Sequence, residues 1–148
     1  MMSLSSLDTN ILLYAANEDA PEHGVCKTFL EGVVSNPADW IIADQVFLEL
    51  YRALRNPKVM SCPLYAGDAV RHLSILRDEM GIMHCGYSTE CWSGLMRKLE
   101  RDDFPSRRTH DAVLAATLMS HGVKTFYTRN TKDFLDAGFQ KLINPVDG

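Results

Sequence analysis

Short apolar segments alternate with longer segments of helical periodicity along the whole chain, and this alternation limits the fold more than any single motif does. The segments "WIIA" at 40–43 and "VKTFYT" at 123–128 are typical of buried strands. The predicted strands cover 4–8, 40–43, 81–85, 123–128 and 141–145. The predicted helices cover 11–16, 21–34, 45–55, 64–80, 88–101 and 106–120, with a helical turn at 131–137. This order predicts an α/β fold in which helices cover both faces of a central, mostly parallel sheet.

Several residue types mark the expected ends of these helices. Asp44, Ser106 and either Ser88 or Thr89 are predicted N-caps, because their side chains can accept a hydrogen bond from the first turn. Gly122 is predicted to end the helix that begins near 106.

The size and charge of the chain limit its function. Its 148 residues suit one domain over 1–148 with a real core. The formal net charge of −4 gives no general basic surface for nucleic acid. It does not exclude nucleic-acid binding, because a bound divalent metal ion changes the local field.

Cysteine spacing and apolar run length indicate the cellular environment. The four cysteines form no C-x-x-C pair and have no zinc-site spacing, so we expect reduced thiols. No signal peptide is visible, and no apolar run approaches the roughly 20 residues that a membrane helix needs. We expect a soluble, cytoplasmic protein that does not bind membranes.

Acidic and amide side chains follow several predicted strands or lie in the helices that begin there. Asp8 ends the first strand, Glu49 and Asp111 lie in two later helices, and Asn130 and Asp133 follow the strand at 123–128. A parallel sheet can bring such residues to one edge, where carboxylates repel each other unless protons or divalent cations neutralise them. Mg²⁺ and Mn²⁺ prefer oxygen ligands, so this pattern suggests a metal site that processes phosphoesters.

Each acid also has a plain structural explanation. Asp8 can cap the helix that follows it, and Asp133 can cap the turn that contains Phe134. Glu49 can face solvent, and Asp111 can favour its helix through the helix dipole. The residues alone leave both interpretations open.

Four segments resemble the PIN-domain ribonucleases, and among them the VapC-like toxins of type II toxin–antitoxin systems. They are "LDTNILLYA", "DQVFLELYRALRNP", "THDAVLAATLMSHG" and "FYTRNTKDF", and they span the chain in the family's order. The resemblance implies a three-layer α/β/α domain with endoribonuclease activity that depends on Mg²⁺ or Mn²⁺.

The resemblance also assigns roles to individual residues. Asp8 and Asp111 match the family's metal-binding aspartates, and Glu49 matches its helical glutamate. The family's fourth acid falls in the "TRN-x-x-DF" region, where this chain has Asn130 at a position that is often Asp. Either Asn130 or Asp133 completes the catalytic set in this interpretation.

Polar and basic residues near these acids are candidates for substrate binding. Thr128 and Arg129 belong to the last motif, and Arg107 and Arg108 precede Asp111. Arginine binds phosphate through bidentate hydrogen bonds. The arginines before Asp111 also suit a solvated helix face with acids between them.

The resemblance implies an RNA substrate and a small cognate antitoxin; homodimers are common in the family, but the sequence does not indicate one. Apolar residues in the helices at 21–34 and 45–55 could form an antitoxin groove, although core packing explains them as well. One alternative is a PIN-fold module that binds RNA or a partner without cleaving, since Asn130 replaces an acid. A receiver-like signalling domain is a remote alternative, because Asp8 has no second acid beside it.

Overall fold

We describe the fold from a computed structural model that covers residues 3–147, so Met1, Met2 and Gly148 lie outside the described residues. The described residues form five strands, and every strand pair is parallel. The strands are β1 (Leu4–Leu7), β2 (Ile41–Ala43), β3 (Met83–Cys85), β4 (Val123–Tyr127) and β5 (Lys141–Ile143). The predicted parallel sheet is therefore confirmed.

The strand order creates a crevice beside β1. β1 pairs with β4, β4 pairs with β5, and β2 pairs with β3. A bridge between Ser5 and Trp40 joins the two groups, which gives the order β3-β2-β1-β4-β5. The chain moves outward from β1 to β3 and then returns to the other side of β1, so β1 and β4 flank the switch point where parallel sheets bind ligands.

Six α-helices connect the strands within residues 3–147. They are α1 (Thr9–Ala16), α2 (His23–Ser35), α3 (Asp44–Leu54), α4 (Ala66–Ser74), α5 (Trp92–Leu99) and α6 (Thr109–Ser120). α1 packs on both α2 and α3, and α3 packs on α4, whereas α5 packs on α6 and α6 contacts β2 and β4. Right-handed crossovers place the two groups on opposite faces of the sheet, which gives three layers.

The hydrophobic core lies on both faces of the central strands. Leu7, Ile42 and Phe126 are fully buried in the sheet. Leu50 of α3 covers one face and Leu118 of α6 covers the other, and both are also fully buried.

Most of the apolar residues that could have formed a groove on α2 and α3 belong to this core. Val46, Phe47 and Leu50 are at most 3% exposed, and Phe29 of α2 packs on the core beside the Trp40 and Tyr127 rings. Val25 of α2, in contrast, is 46% exposed. Of the two explanations that the sequence leaves open, core packing accounts for the buried residues.

Two predicted helix ends have different outcomes. Gly122 follows α6 with a φ of 83°, a conformation that favours glycine, so this prediction is confirmed. The prediction for Asp44 is wrong, because Asp44 is the first residue of α3 and makes no capping hydrogen bond. Its carboxylate instead accepts hydrogen bonds from Arg77.

The other predicted caps are also wrong, because a short 3₁₀ turn precedes each helix. The turn Thr89–Cys91 leads into α5, and Ser88 makes no capping hydrogen bond. The turn Ser106–Arg108 leads into α6, which begins at Thr109. Each tighter turn delays the start of the regular helix by about three residues.

The predicted helix at 64–80 is shorter and less regular than expected. Its α-helical part is α4, and a π-helical segment, Ile75–Glu79, completes it. Leu76 is buried, but Val70 is 53% exposed and does not belong to the core.

Within residues 3–147, no helix is long and apolar enough to cross a membrane. The four cysteines are free thiols.

Candidate metal centre and active site

Asp8 lies where β1 ends and α1 begins, and it is only 9% exposed. The strand continues to this point, because the Asp8 N–H donates to the Tyr127 carbonyl at 2.9 Å. One carboxylate oxygen, Oδ1, accepts from the Thr9 N–H at 2.8 Å. The other, Oδ2, accepts from the Thr128 hydroxyl at 2.8 Å. Asp8 therefore caps α1 and also reaches across the crevice to the end of β4.

The residues around Asp8 hold it through a continuous set of hydrogen bonds. Thr128 is fully buried, and its oxygen accepts from the Asn130 N–H at 3.1 Å while its hydroxyl donates to Asp8. Asn10 accepts from the Arg129 N–H at 3.3 Å. The two polar loops after β1 and β4 thus fix each other.

Glu49 is attached to this network from α3. Its Oε2 accepts from the Thr9 hydroxyl at 2.8 Å, and its Oε1 accepts from Gln45 Nε2 at 3.1 Å. The same Gln45 nitrogen donates to the His110 carbonyl at 2.9 Å. Gln45 therefore links the helix that carries Glu49 to the first turn of α6, where Asp111 lies.

The pKa of Asp111 is raised above its ordinary value. Burial is the largest cause, followed by the charges of Asp133 and Glu49. The positive charges of Arg108 and His110 act in the opposite direction.

The pKa of Asp8 is raised from 3.8 to about 6. Burial is the main cause, and the nearby charges of Glu49 and Asp111 add to it, whereas the hydrogen bonds from Thr128 and Thr9 oppose it. Within residues 3–147, no ion pair involves Asp8, Glu49 or Asp111. Asp8 and Asp111 therefore both lie within range of the Glu49 charge, and none of the three acids has an ion-pair partner among the described residues.

The donor set fits a hard divalent cation that keeps much of its water. In the described part of the chain, no three His, Cys, Asp or Glu side chains are grouped closely enough to hold one ion between them. Mg²⁺ needs only one or two carboxylates together with waters and substrate phosphate. A buried carboxylate with a raised pKa also favours a cation that neutralises it.

Asn130 and Asp133 occupy different positions relative to this region. Asn130 has an exposed side chain and contacts Thr128 through its main chain. Asp133 is half-buried and raises the pKa of Asp111 by its charge.

The arginines near the site differ in the hydrogen bonds and ion pairs that they make. Arg129 pairs with Asp147 at 3.0 Å and with Glu22 at 3.6 Å. Arg108 donates to the Asp133 carbonyl at 3.3 Å. Arg107 is exposed and has no ion pair within residues 3–147.

Sequence reasoning did not identify the positioning residues of the site. Thr9, Asn10 and Gln45 each hold a neighbouring functional segment by a hydrogen bond. The signal for the first two was the run of three polar residues, Asp8 to Asn10, between apolar segments. No comparable signal marks Gln45, because a glutamine early in a helix is ordinary.

Comparisons with known proteins define the family. The family model described as "PIN domain" matches residues 6–140. The chain is 38% identical over 144 residues to Ribonuclease VapC24 of two Mycobacterium tuberculosis strains, and the match covers 95% of this chain and 96% of the relative.

Solved structures share the fold. VapC20 of Mycobacterium tuberculosis, described as a sarcin-ricin loop cleaving toxin, has a TM-score of 0.68 at 22% identity over 91% of this chain and 95% of that chain. FitAcB from Neisseria gonorrhoeae has a TM-score of 0.63 at 17% identity over 96% of this chain and 98% of that chain. VapBC2 from Rickettsia felis, bound to a promoter DNA fragment, has a TM-score of 0.63 at 20% identity over 95% of this chain and 97% of that chain.

The parallel sheet with helices on both faces and the acidic crevice beside β1 are thus those of a nuclease fold, and the chain belongs to the PIN-domain family. Within that family it is a VapC-type protein, as its similarity to VapC24 over nearly its whole length shows. The predicted family and the predicted three-layer fold are both confirmed.

The buried charge of Asp8 leads to a prediction about the stability of the metal-free protein. Because its folded pKa of about 6 exceeds 3.8, ionised Asp8 destabilises the fold fully above pH 6 and not at all below about pH 3.8. The difference corresponds to up to about 3 kcal/mol. In a chelating buffer at pH 7.5, we expect Asp8→Asn to raise the free energy of unfolding by about 1–3 kcal/mol, as measured by urea denaturation.

The same comparison at pH 4 is the control. Asp8 is then protonated in the folded state and only partly ionised in the unfolded state, so most of the gain disappears. Mg²⁺ or Mn²⁺ should stabilise the wild type and not the variant. A variant that is less stable than the wild type at pH 7.5 and equal to it at pH 4 contradicts this description of Asp8.

Proposed function

We propose that this protein is a divalent-metal-dependent endoribonuclease, the toxin of a toxin–antitoxin pair, and that residues 1–148 form a single PIN-like domain. The observation that carries the proposal is the buried Asp8 carboxylate, whose pKa is raised by burial and by the nearby charges of Glu49 and Asp111, and which has no cationic partner within residues 3–147. The 38% identity to a named ribonuclease over nearly the whole chain supports the same activity.

Asp8 and Asp111 would hold the ion, which we propose is Mg²⁺ or Mn²⁺. When bound, such an ion lowers the pKa of a water molecule and polarises a phosphate oxygen. Asp8 is positioned for this role by Thr9 and Thr128, and one lone pair on each of its oxygens remains available.

Glu49 orients the attacking water in this proposal. Thr9 and Gln45 each donate to one of its oxygens and so fix the plane of the carboxylate. A fixed acceptor can hold a water for in-line attack on the phosphodiester, which is a positioning effect. The alternative role, binding of a second ion, remains compatible with the same geometry.

The residues expected to bind RNA take different roles in the proposal. Thr128 is fully buried and donates to Asp8, so we assign it to positioning Asp8. Arg129 anchors the loop after β4 through its ion pairs and its N–H. Exposed Arg107 is the best placed of the three arginines to contact a phosphate, and Arg108 contributes positive potential near Asp111.

The proposed partners are an RNA substrate, a small antitoxin and a second copy of the chain. The solved complex of VapBC2 with promoter DNA supports an antitoxin, although its similarity to this chain is a similarity of fold. A non-catalytic PIN-fold module is the second candidate, and Asn130 is the observation that favours it. Cleavage assays separate the two candidates.

Asp111→Asn tests the catalytic proposal. The variant keeps the shape of the side chain but removes a ligand charge, so we expect cleavage of single-stranded RNA to fall by at least about 100-fold. Asp103→Asn is the matched control, because Asp103 is a 71% exposed acid that pairs only with Arg101 on the surface. Circular dichroism should show that both variants fold.

Undiminished cleavage by Asp111→Asn, or full activity of the wild type in excess chelator, contradicts the proposal. An Asp103→Asn loss equal to that of Asp111→Asn indicates a general charge effect and also contradicts it.

A second prediction concerns the fourth acid of the site. We propose that Asp133 is this fourth acid, because its charge raises the pKa of Asp111, whereas the Asn130 side chain is exposed. Calorimetric titration with Mn²⁺ should show weaker binding by Asp133→Asn. Asn130→Asp should bind up to roughly tenfold more tightly if it enters the coordination sphere, which corresponds to ~1.4 kcal/mol. If Asp133→Asn binds Mn²⁺ like the wild type, Asp133 is not part of the site.

A further inference from the structure

A cleft of about 250 Å³ opens beside Gln45, and the proposed mechanism places no part of the substrate in it. It begins where β2 and β3 end, between Ala43 and Gly86, at the same edge of the sheet as Asp8. Because β2 neighbours β1 and strands lie about 5 Å apart, the cleft is one to two strand spacings from Asp8 along this edge.

The walls of the cleft include large apolar side chains that are open to solvent. Tyr87 is 45% exposed and Leu48 is 68% exposed. A flat ring bound in the cleft can stack with one face on the exposed aromatic ring, and an aliphatic side chain can pack against the other face of the bound ring. The cleft is therefore suited to a flat, mainly apolar group.

One polar group distinguishes this cleft from a simple apolar groove. Gln45 lines it and donates from Nε2 to both the Glu49 carboxylate and the His110 carbonyl. Both partners only accept hydrogen bonds, so the amide orientation is fixed. Oε1 is then left as an acceptor with no hydrogen bond within residues 3–147, and it suits the amino groups of adenine, cytosine or guanine.

The carboxylate that lines the cleft repels RNA less than an unpaired acid would. Asp44 lines the cleft, but Arg77 binds its two carboxylate oxygens at 2.8 and 3.2 Å. This bidentate pair offsets the negative charge closest to the cleft.

We propose that this cleft is a subsite for one unstacked nucleobase of the RNA, with Tyr87 as its stacking residue. The inference rests on the proposed ribonuclease function and adds a base-binding position to it. Proteins commonly bind single-stranded RNA by stacking splayed bases on aromatic rings. Gln45 connects the subsite to the reacting centre directly, because the residue on its wall also holds Glu49.

The test is RNA binding in the inactive Asp111→Asn background. A fluorescent single-stranded RNA decamer and an abasic ribose-phosphate strand of equal length are titrated in Ca²⁺ buffer, with fluorescence anisotropy as the readout. Tyr87→Ala should weaken binding of the decamer by at least about fivefold, the lower end for one stacked base. Tyr87→Phe should bind within about twofold of the parent, because its ring is retained.

The abasic strand should bind equally to Tyr87→Ala and to its parent, because it offers no base to stack. Tyr65→Ala is the matched control. Tyr65 is 84% exposed and follows Leu64, whose N–H bonds to the Leu54 carbonyl at the far end of α3 from Gln45. Tyr65→Ala should bind the decamer and the abasic strand as tightly as the parent does.

Equal decamer binding by Tyr87→Ala and its parent overturns the subsite, even if the wild type cleaves RNA in Mg²⁺. An equal loss on both strands also overturns it, since that indicates a general effect on the backbone site. A change in oligomeric state by analytical ultracentrifugation, without loss of RNA affinity, assigns the cleft to contact between copies. If the wild type cleaves no RNA at all, in contrast, the result contradicts the proposed ribonuclease function itself.

Discussion

The burial of the Asp8 carboxylate is the constraint on which the rest of the site depends. A carboxylate that is 9% exposed has lost most of its water, and this loss is costly without a compensating partner. Two hydrogen bonds, from Thr9 and Thr128, compensate only in part, because the pKa remains near 6. The remaining penalty makes the position favourable for a cation.

The hydrogen bonds to Asp8 also explain the organisation of the surrounding loops. Thr128 lies at the end of β4 and Thr9 at the start of α1, so Asp8 joins two elements that are distant in sequence. Thr9 then connects to Glu49, and Gln45 connects α3 to α6. The acids repel one another, yet neutral donors hold Asp8 and Glu49, so their arrangement can persist before any metal binds.

The layered fold could be predicted from the sequence because it depends on local periodicity. Segments such as 40–43 and 123–128 alternate with helices, and this order alone indicates a parallel sheet. The helix starts could not be predicted, since Asp44 is attracted to Arg77, 33 residues away, and no local pattern shows this pairing. The sequence leaves open whether Asp8 is a helix cap or a site residue; in the structure one of its oxygens caps α1 and the other accepts from Thr128 at the end of β4.

The interactions that connect the site were the least predictable. The hydrogen bond from Gln45 to the His110 carbonyl spans 65 residues and depends on how α3 and α6 cross the sheet edge. The Thr128 to Asp8 bond spans 120 residues and depends on β1 pairing with β4. Such contacts follow from topology, which the order of the elements leaves undetermined.

A crystal structure with Mn²⁺, with the ion located by anomalous scattering, tests the central claim most directly. The account predicts an anomalous peak at about 2.1 Å from carboxylate oxygens of Asp8 and Asp111, with waters completing the coordination. The Thr9 and Thr128 hydrogen bonds to Asp8 should persist. A peak bound elsewhere, or an Asp8 carboxylate that remains without a cation at saturating Mn²⁺, would contradict it.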